Sequence, residues 1–206
     1  MSRGFAIDLG EWFWDKRLQV REDLERYFSG KAGDRFTGRW FERFAAIGDP
    51  NRFETSDVLA VESLSVKVPP ESAAKLLVAE PDAFNILLKA IPSQRDLWEL
   101  ERSVVEPGNA AHNLHQVLDD LPKVGWVTAG KLMAAKRPRL IPVLDKEVKR
   151  LLKPPKGQFW GAMYDELSDE RRRSSIAEVC ANAPEEVSLL RRIDVALWMH
   201  AIQRSK

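Results

Sequence analysis

The chain has 206 residues, a hydrophobic share of 44% and a charged share of 31%, which is the composition of a folded globular protein and excludes a wholly disordered one. No stretch approaches the ~18 uncharged apolar residues of a membrane span. The single cysteine, Cys180, excludes an internal disulfide and a four-thiolate metal site. We therefore expect a cytoplasmic protein without membrane association, metal or cofactor.

The charge is unevenly distributed along the sequence. Residues 123–156 contain ten basic and two acidic residues, a net charge of +8, whereas residues 1–122 carry −6 and residues 157–206 carry −1. A polyanion such as DNA requires a local basic face, so residues 123–156 are the candidate contact surface. Lysine-rich helices that are simply well solvated are the alternative interpretation.

Helical periodicity dominates the sequence, and the one weak strand signal lies at residues 66–68. Pro142 and Pro184 are predicted to open the helices that follow them. The pattern indicates an all-α, orthogonally packed multi-helix domain over residues 36–206, with an N-terminal arm or short helix in residues 1–35. The predicted helices cover residues 20–29, 36–47, 55–65, 70–78, 82–90, 93–105, 109–121, 126–136, 142–152, 158–167, 168–182 and a last one after 184.

The segment with the most specific pattern is LPKVGWVTAGKL, residues 121–132. A helix is predicted to end at Leu121, a tight turn to hold residues 122–125, and a new helix to start at once. The start of a helix presents free N–H groups and a partial positive charge, which suit a phosphate group. An ordinary corner between two helices, with Val124 buried, is the alternative.

This segment resembles a helix-hairpin-helix element, whose usual pattern is Leu-Pro-Gly-Val-Gly followed by a Thr-Ala helix; here the element covers residues 114–136. Lys123 replaces the first hairpin glycine, which costs ~1 kcal/mol or more if that position needs a positive φ. The resemblance implies that DNA is contacted by Lys123, Val124, Gly125, Trp126, Thr128 and Lys131.

Residues 137–150, RPRLIPVLDKEVKR, follow the hairpin. Over residues 118–152 the chain resembles the helix-hairpin-helix base-excision DNA glycosylases, in which a Pro-Val-Asp-x-x-Val-x-Arg-like segment supplies a catalytic aspartate. By position that residue is Asp145. Val127 stands where bifunctional members have a lyase lysine, so the resemblance implies a monofunctional N-glycosylase.

Two alternatives stay open at this stage. Asp145 near the start of a helix also suits an N-cap or an acid that stabilises the helix dipole. A non-catalytic helical module of the same fold, binding DNA or protein, is the alternative function. His112 and His115, with Asp119 one turn later, are interpreted as a solvated helix face rather than as metal ligands.

A wider resemblance covers most of the chain beyond residue 35. The stretch RFTGRWFE at residues 35–42, together with residues 53–69, 124–132, 137–145 and 187–200, is similar to an uncharacterised bacterial domain family. That resemblance implies a shared fold and supplies no activity.

Overall fold

The computed structural model describes residues 4–30 and 36–204. These residues form twelve α-helices and no β-strand, which confirms the predicted all-α class. None of the described helices is long and apolar enough to cross a bilayer. The helices are α1 (Leu9–Asp15), α2 (Arg17–Ser29), α3 (Phe41–Ala45), α4 (Thr55–Ser63), α5 (Pro70–Ala74), α6 (Pro81–Lys89), α7 (Ala110–Asp119), α8 (Gly125–Lys136), α9 (Lys146–Leu152), α10 (Phe159–Ser168), α11 (Glu170–Val179) and α12 (Leu189–Gln203).

The predicted helix over residues 93–105 is wrong. The chain there forms two 3-10 turns, Leu97–Glu99 and Arg102–Val105. Asp96 is extended because its carboxylate accepts hydrogen bonds of 2.8 and 2.5 Å from the Arg139 guanidinium, while the Leu97 amide donates to the Arg139 carbonyl at 2.9 Å. Contacts with a distant part of the chain therefore override a local helical pattern.

Two prolines predicted to open helices lie upstream of them instead. The helix after Pro142 begins at Lys146, and the helix after Pro184 begins at Leu189. The side chain that caps the first amides comes three residues after Pro142, at Asp145 for α9, and four residues after Pro184, at Ser188 for α12. The position of the capping side chain, rather than of the proline, sets the start.

The chain divides into two compact units, and we call residues 37–141 the central unit. Its α8 packs against α3, α4 and α7, while α6 packs against α7. Eight of the twelve residues of α8 are buried, including Lys131 and Lys136. Helix α8 is thus the helix around which this unit is built.

The terminal unit consists of residues 1–36 and 142–206. Its α12 packs against α2 and α9, and α1 packs against α11. The apolar side chains Leu190, Ile193 and Leu197 of α12 are buried. The predicted orthogonal packing and the predicted separate arm over residues 1–35 stay predictions; residues 1–3 and 31–35 of that arm lie outside the described residues.

Candidate functional site

The predicted turn between two helices lies in the central unit, between α7 and α8. Leu121 and Val124 are buried, and the Val124 amide donates to the Leu121 carbonyl at 3.1 Å. Lys123 has a φ of 60° and Gly125 a φ of 69°, both in the left-handed region that favours glycine. Lys123 therefore holds a conformation that costs a non-glycine residue roughly 1 kcal/mol. We call residues 121–127 the hairpin.

Two side chains from neighbouring helices hold the peptide planes of the hairpin. The buried Ser72 hydroxyl of α5 donates to the Pro122 carbonyl at 2.7 Å, and His115 Nε2 of α7 donates to the Trp126 carbonyl at 3.1 Å. The described peptide bonds are all trans, and in a trans peptide the C=O and N–H bonds point in opposite directions. The amides of Lys123 and Val127 consequently face away from these two anchors.

The start of α8 has no capping side chain. Val124 occupies the N-cap position and makes no side-chain hydrogen bond to the helix amides. The first amides of a helix lack intrahelical acceptors and are the groups that donate to phosphate oxygens in anion-binding helices. The hairpin can therefore donate to an external anion from its backbone and carry the charge of Lys123 beside it.

The residues predicted to contact DNA differ in their exposure. Lys123 and Gly125 are exposed and Trp126 is half-buried, whereas Val124, Thr128 and Lys131 are buried. The Lys131 ammonium donates to the Leu64 carbonyl at 3.1 Å inside the central unit. Lys123 is therefore the basic side chain that the hairpin exposes.

Two further basic residues of segment 123–156 are internal. The Lys136 ammonium lies 2.6 Å from Asp57 Oδ2, with both side chains almost fully buried. The Arg137 side chain donates to the carbonyls of Leu88 and Ile91 at 2.7 and 2.9 Å. Burial lowers the pKa of Arg137 to about 10, so its guanidinium stays charged at neutral pH. Burial raises the pKa of Asp57 in spite of its ion pair with Lys136.

Asp145 lies in the terminal unit as the N-cap of α9. Its Oδ1 accepts hydrogen bonds of 2.9 Å from both the Glu147 and Val148 amides, which is the capping geometry left open by the sequence. The side chain is half-buried, and Oδ2 makes no hydrogen bond or ion pair with the described residues. One carboxylate oxygen is thus used in capping and the other is not.

Comparison with known proteins gives a family for the chain. The model of the family described as "Family of unknown function (DUF6308)" matches residues 20–201. The chain belongs to DUF6308. No curated protein and no solved structure shows a significant match. The predicted membership of an uncharacterised family is confirmed.

Several structural residues of this DUF6308 protein were not predicted from its sequence. Ser72 and His115 anchor the hairpin from 50 and 11 residues away. A serine in a Pro-Pro-Glu-Ser stretch carries no signal for such a role. The spacing of His112 and His115 placed them on one helix face, but the prediction that this face is solvated is wrong, since both side chains are half-buried. Among the described residues, no group of three or more His, Cys, Asp or Glu could hold a metal ion.

Proposed function

We propose that this chain binds DNA through phosphate groups, with the hairpin of the central unit as the contact. The supporting observation is the exposed Lys123 beside an uncapped helix start whose peptide planes are held by Ser72 and His115. Backbone amides position a phosphate without reading sequence, and a lysine adds a point charge. The proposal is therefore one of backbone recognition.

A second basic surface, in the terminal unit, is also suited to a polyanion. Lys146, Lys149 and Lys153 are exposed and spaced by three and four residues, so they project from one side of α9 and its C-cap. Lys156 follows three residues later and is also exposed. Each lysine that neutralises a phosphate releases counterions and adds to affinity.

The finer proposal is that the chain is a monofunctional N-glycosylase acting on a base flipped out of the duplex. Water replaces the base at the sugar C1′, the base leaves, and an abasic strand remains. The unbonded Oδ2 of Asp145 supports a role in stabilising the positive charge that develops on the sugar. A non-catalytic DNA- or protein-binding module is the alternative, and it is supported by the use of Asp145 Oδ1 in capping.

The test is duplex binding by fluorescence anisotropy at several salt concentrations. We expect log K to fall against log[salt] with a slope of about −0.9 for each neutralised phosphate. Lys123→Glu should weaken binding about tenfold or more, since it reverses a charge at the proposed contact. Asp120→Asn should strengthen binding because it removes an exposed acid three residues from Lys123.

Lys89→Glu is the matched control. Lys89 is exposed at the end of α6 in the same unit, so this change alters the net charge equally and lies outside segment 123–156. It should leave duplex affinity close to that of the wild type. Equal losses in Lys89→Glu and Lys123→Glu, or a wild type with no duplex affinity at low salt, would contradict the proposal.

A further inference from the structure

The end of the stretch RFTGRWFE and the arginine that follows it form a cationic and aromatic cluster in the central unit. Trp40 ends the 3-10 turn Thr37–Trp40, and its side chain is 40% exposed. The guanidinium carbons of Arg39 and Arg43 each lie 5.1 Å from the centroid of the Trp40 ring. We call these three residues the tryptophan cluster; Arg35 of the same stretch lies outside the described residues.

The cluster is held on a fixed support. The Thr37 hydroxyl donates to the Ser63 carbonyl at the end of α4, at 2.7 Å, and Phe41 is buried directly after Trp40. The acid within this stretch, Glu42, has a buried carboxylate oxygen, whereas Arg43 is exposed. The exposed side of the turn therefore presents the indole ring with the exposed Arg43 guanidinium beside it.

Contacts within the central unit place this cluster toward the same end as the hairpin. Helix α4 meets α8 at two points: Asp57 near the start of α4 pairs with Lys136 at the end of α8, and the Leu64 carbonyl after α4 accepts from Lys131 in the middle of α8. The two helices consequently run in opposite directions. Thr37, bonded to Ser63, lies at the end of α4 that approaches the hairpin side of α8.

We propose that the tryptophan cluster binds an unpaired nucleobase of single-stranded nucleic acid, with Trp40 stacking on the base and Arg43 contacting phosphate. Indole rings stack on bases of any sequence, and guanidinium groups bind phosphate and stack as well. A base inside a duplex is already stacked on its neighbours and offers no free face. The ligand is therefore a single strand or an unpaired segment, a class of substrate beyond the duplex contact assigned to the hairpin.

An acidic protein segment is the competing occupant. It would use the charge of the two arginines but would gain nothing specific from the indole ring. The exposed part of the Trp40 ring favours nucleic acid, because a base can stack there while the neighbouring Arg43 guanidinium binds the phosphate.

The experiment compares a fluorescein-labelled twelve-nucleotide thymidine strand with a blunt duplex of the same length, by anisotropy at low salt. Trp40→Leu should lower single-strand affinity about tenfold, the loss typical of one stacked base, and leave duplex affinity unchanged. Trp40→Phe should retain most of the affinity, since phenylalanine keeps a stacking face. Arg43→Ala should weaken binding of the strand and should not steepen the dependence of its affinity on salt.

Trp14→Leu is the matched control. Trp14 lies in the terminal unit and is 51% exposed. The Arg17 guanidinium lies 4.9 Å from the centroid of its ring. Its arginine contact is therefore comparable, but no second arginine lies over the ring among the described residues. Its removal should not alter single-strand affinity. Thermal unfolding of each variant, followed by circular dichroism, checks that the fold is retained.

The outcomes separate this inference from the proposed function. A wild type that binds single strands but not duplexes overturns the hairpin proposal alone, and one that binds duplexes but not single strands overturns the cluster proposal alone. Full single-strand affinity in Trp40→Leu, or displacement of the strand by polyglutamate of equal charge as readily as by unlabelled strand, also overturns it. No binding of either nucleic acid overturns both.

Discussion

Asp145 shows how one side chain can suit two roles at the residue scale. Its Oδ1 accepts from two amides at the start of α9, so the residue contributes to stability whatever else it does. Asparagine keeps an acceptor oxygen at the same position. We expect Asp145→Asn to lower the free energy of unfolding by less than about 1 kcal/mol, and Asp145→Ala to lower it by about 1 kcal/mol. Urea denaturation measures both.

The same substitution separates capping from catalysis. In the glycosylase proposal Asp145→Asn removes the charge that stabilises a cationic transition state, and base release should fall about 10²-fold or more. The assay is a panel of duplexes with deaminated, oxidised and alkylated bases, scored before and after alkaline cleavage. Because Val127 provides no lyase amine, strands should break only after alkali. A wild type that releases no base from any duplex assigns the chain to the non-catalytic module.

The hairpin is the element whose backbone can be tested directly. A Cβ at Gly125 meets no atom within 4 Å, yet the φ of 69° is strained for any residue with a side chain. Gly125→Ala should therefore destabilise the protein by about 1–2 kcal/mol through backbone strain alone. Lys123→Gly relieves the same kind of strain at a φ of 60° and should be neutral or stabilising. Melting temperatures that shift in the same direction for both variants would contradict the positive φ values.

At the same scale, the sequence predicted elements well where local signals determine them. Helix α8 begins within one residue of its predicted start because Gly125 and the turn before it interrupt the preceding helix. The helix predicted over residues 93–105 does not form because Asp96 binds Arg139, a partner 43 residues away. Local propensity contains no information about such a partner.

At the scale of the whole molecule, the net charge of segment 123–156 overstates how many of its basic residues lie on the surface. Of the ten basic residues in segment 123–156, Lys131, Lys136 and Arg137 are buried and satisfy groups inside the central unit. Their acceptors come from segments as distant as Asp57 and Leu64, so no reading of the segment alone could separate internal charges from surface charges. The exposed basic residues that remain lie at the hairpin, in the α9 region and at Arg139, which pairs with Asp96.

Two half-buried histidines, one in each unit, contribute to the response of the molecule to acid. Burial lowers the pKa of His112, and the nearby His115 adds to this effect. Burial also lowers the pKa of His200, which lies near the positive charges of Arg204 and Lys16; the nearby acid Asp23 acts in the opposite direction. Both pKa values lie below the ordinary 6.5 that the unfolded chain retains. Between the lowered pKa of each folded-state histidine and 6.5, the unfolded chain binds more protons than the folded chain. Stability therefore falls as the pH falls through this range.

We therefore expect the melting temperature to be nearly constant from pH 8 to 7 and to decrease as the pH is lowered through 6.5 towards 5. His112→Gln and His200→Gln should each flatten this decrease, because glutamine carries no titrating proton. The buried Asp57 and the half-buried Glu166 have pKa values raised by burial. They bind protons more tightly in the folded state and act in the opposite direction at more acidic pH. Differential scanning calorimetry at half-unit pH steps makes the measurement. A melting temperature that rises between pH 7 and 5, or a double variant as sensitive to pH as the wild type, would show that these imidazoles are as protonated in the folded chain as in the unfolded one.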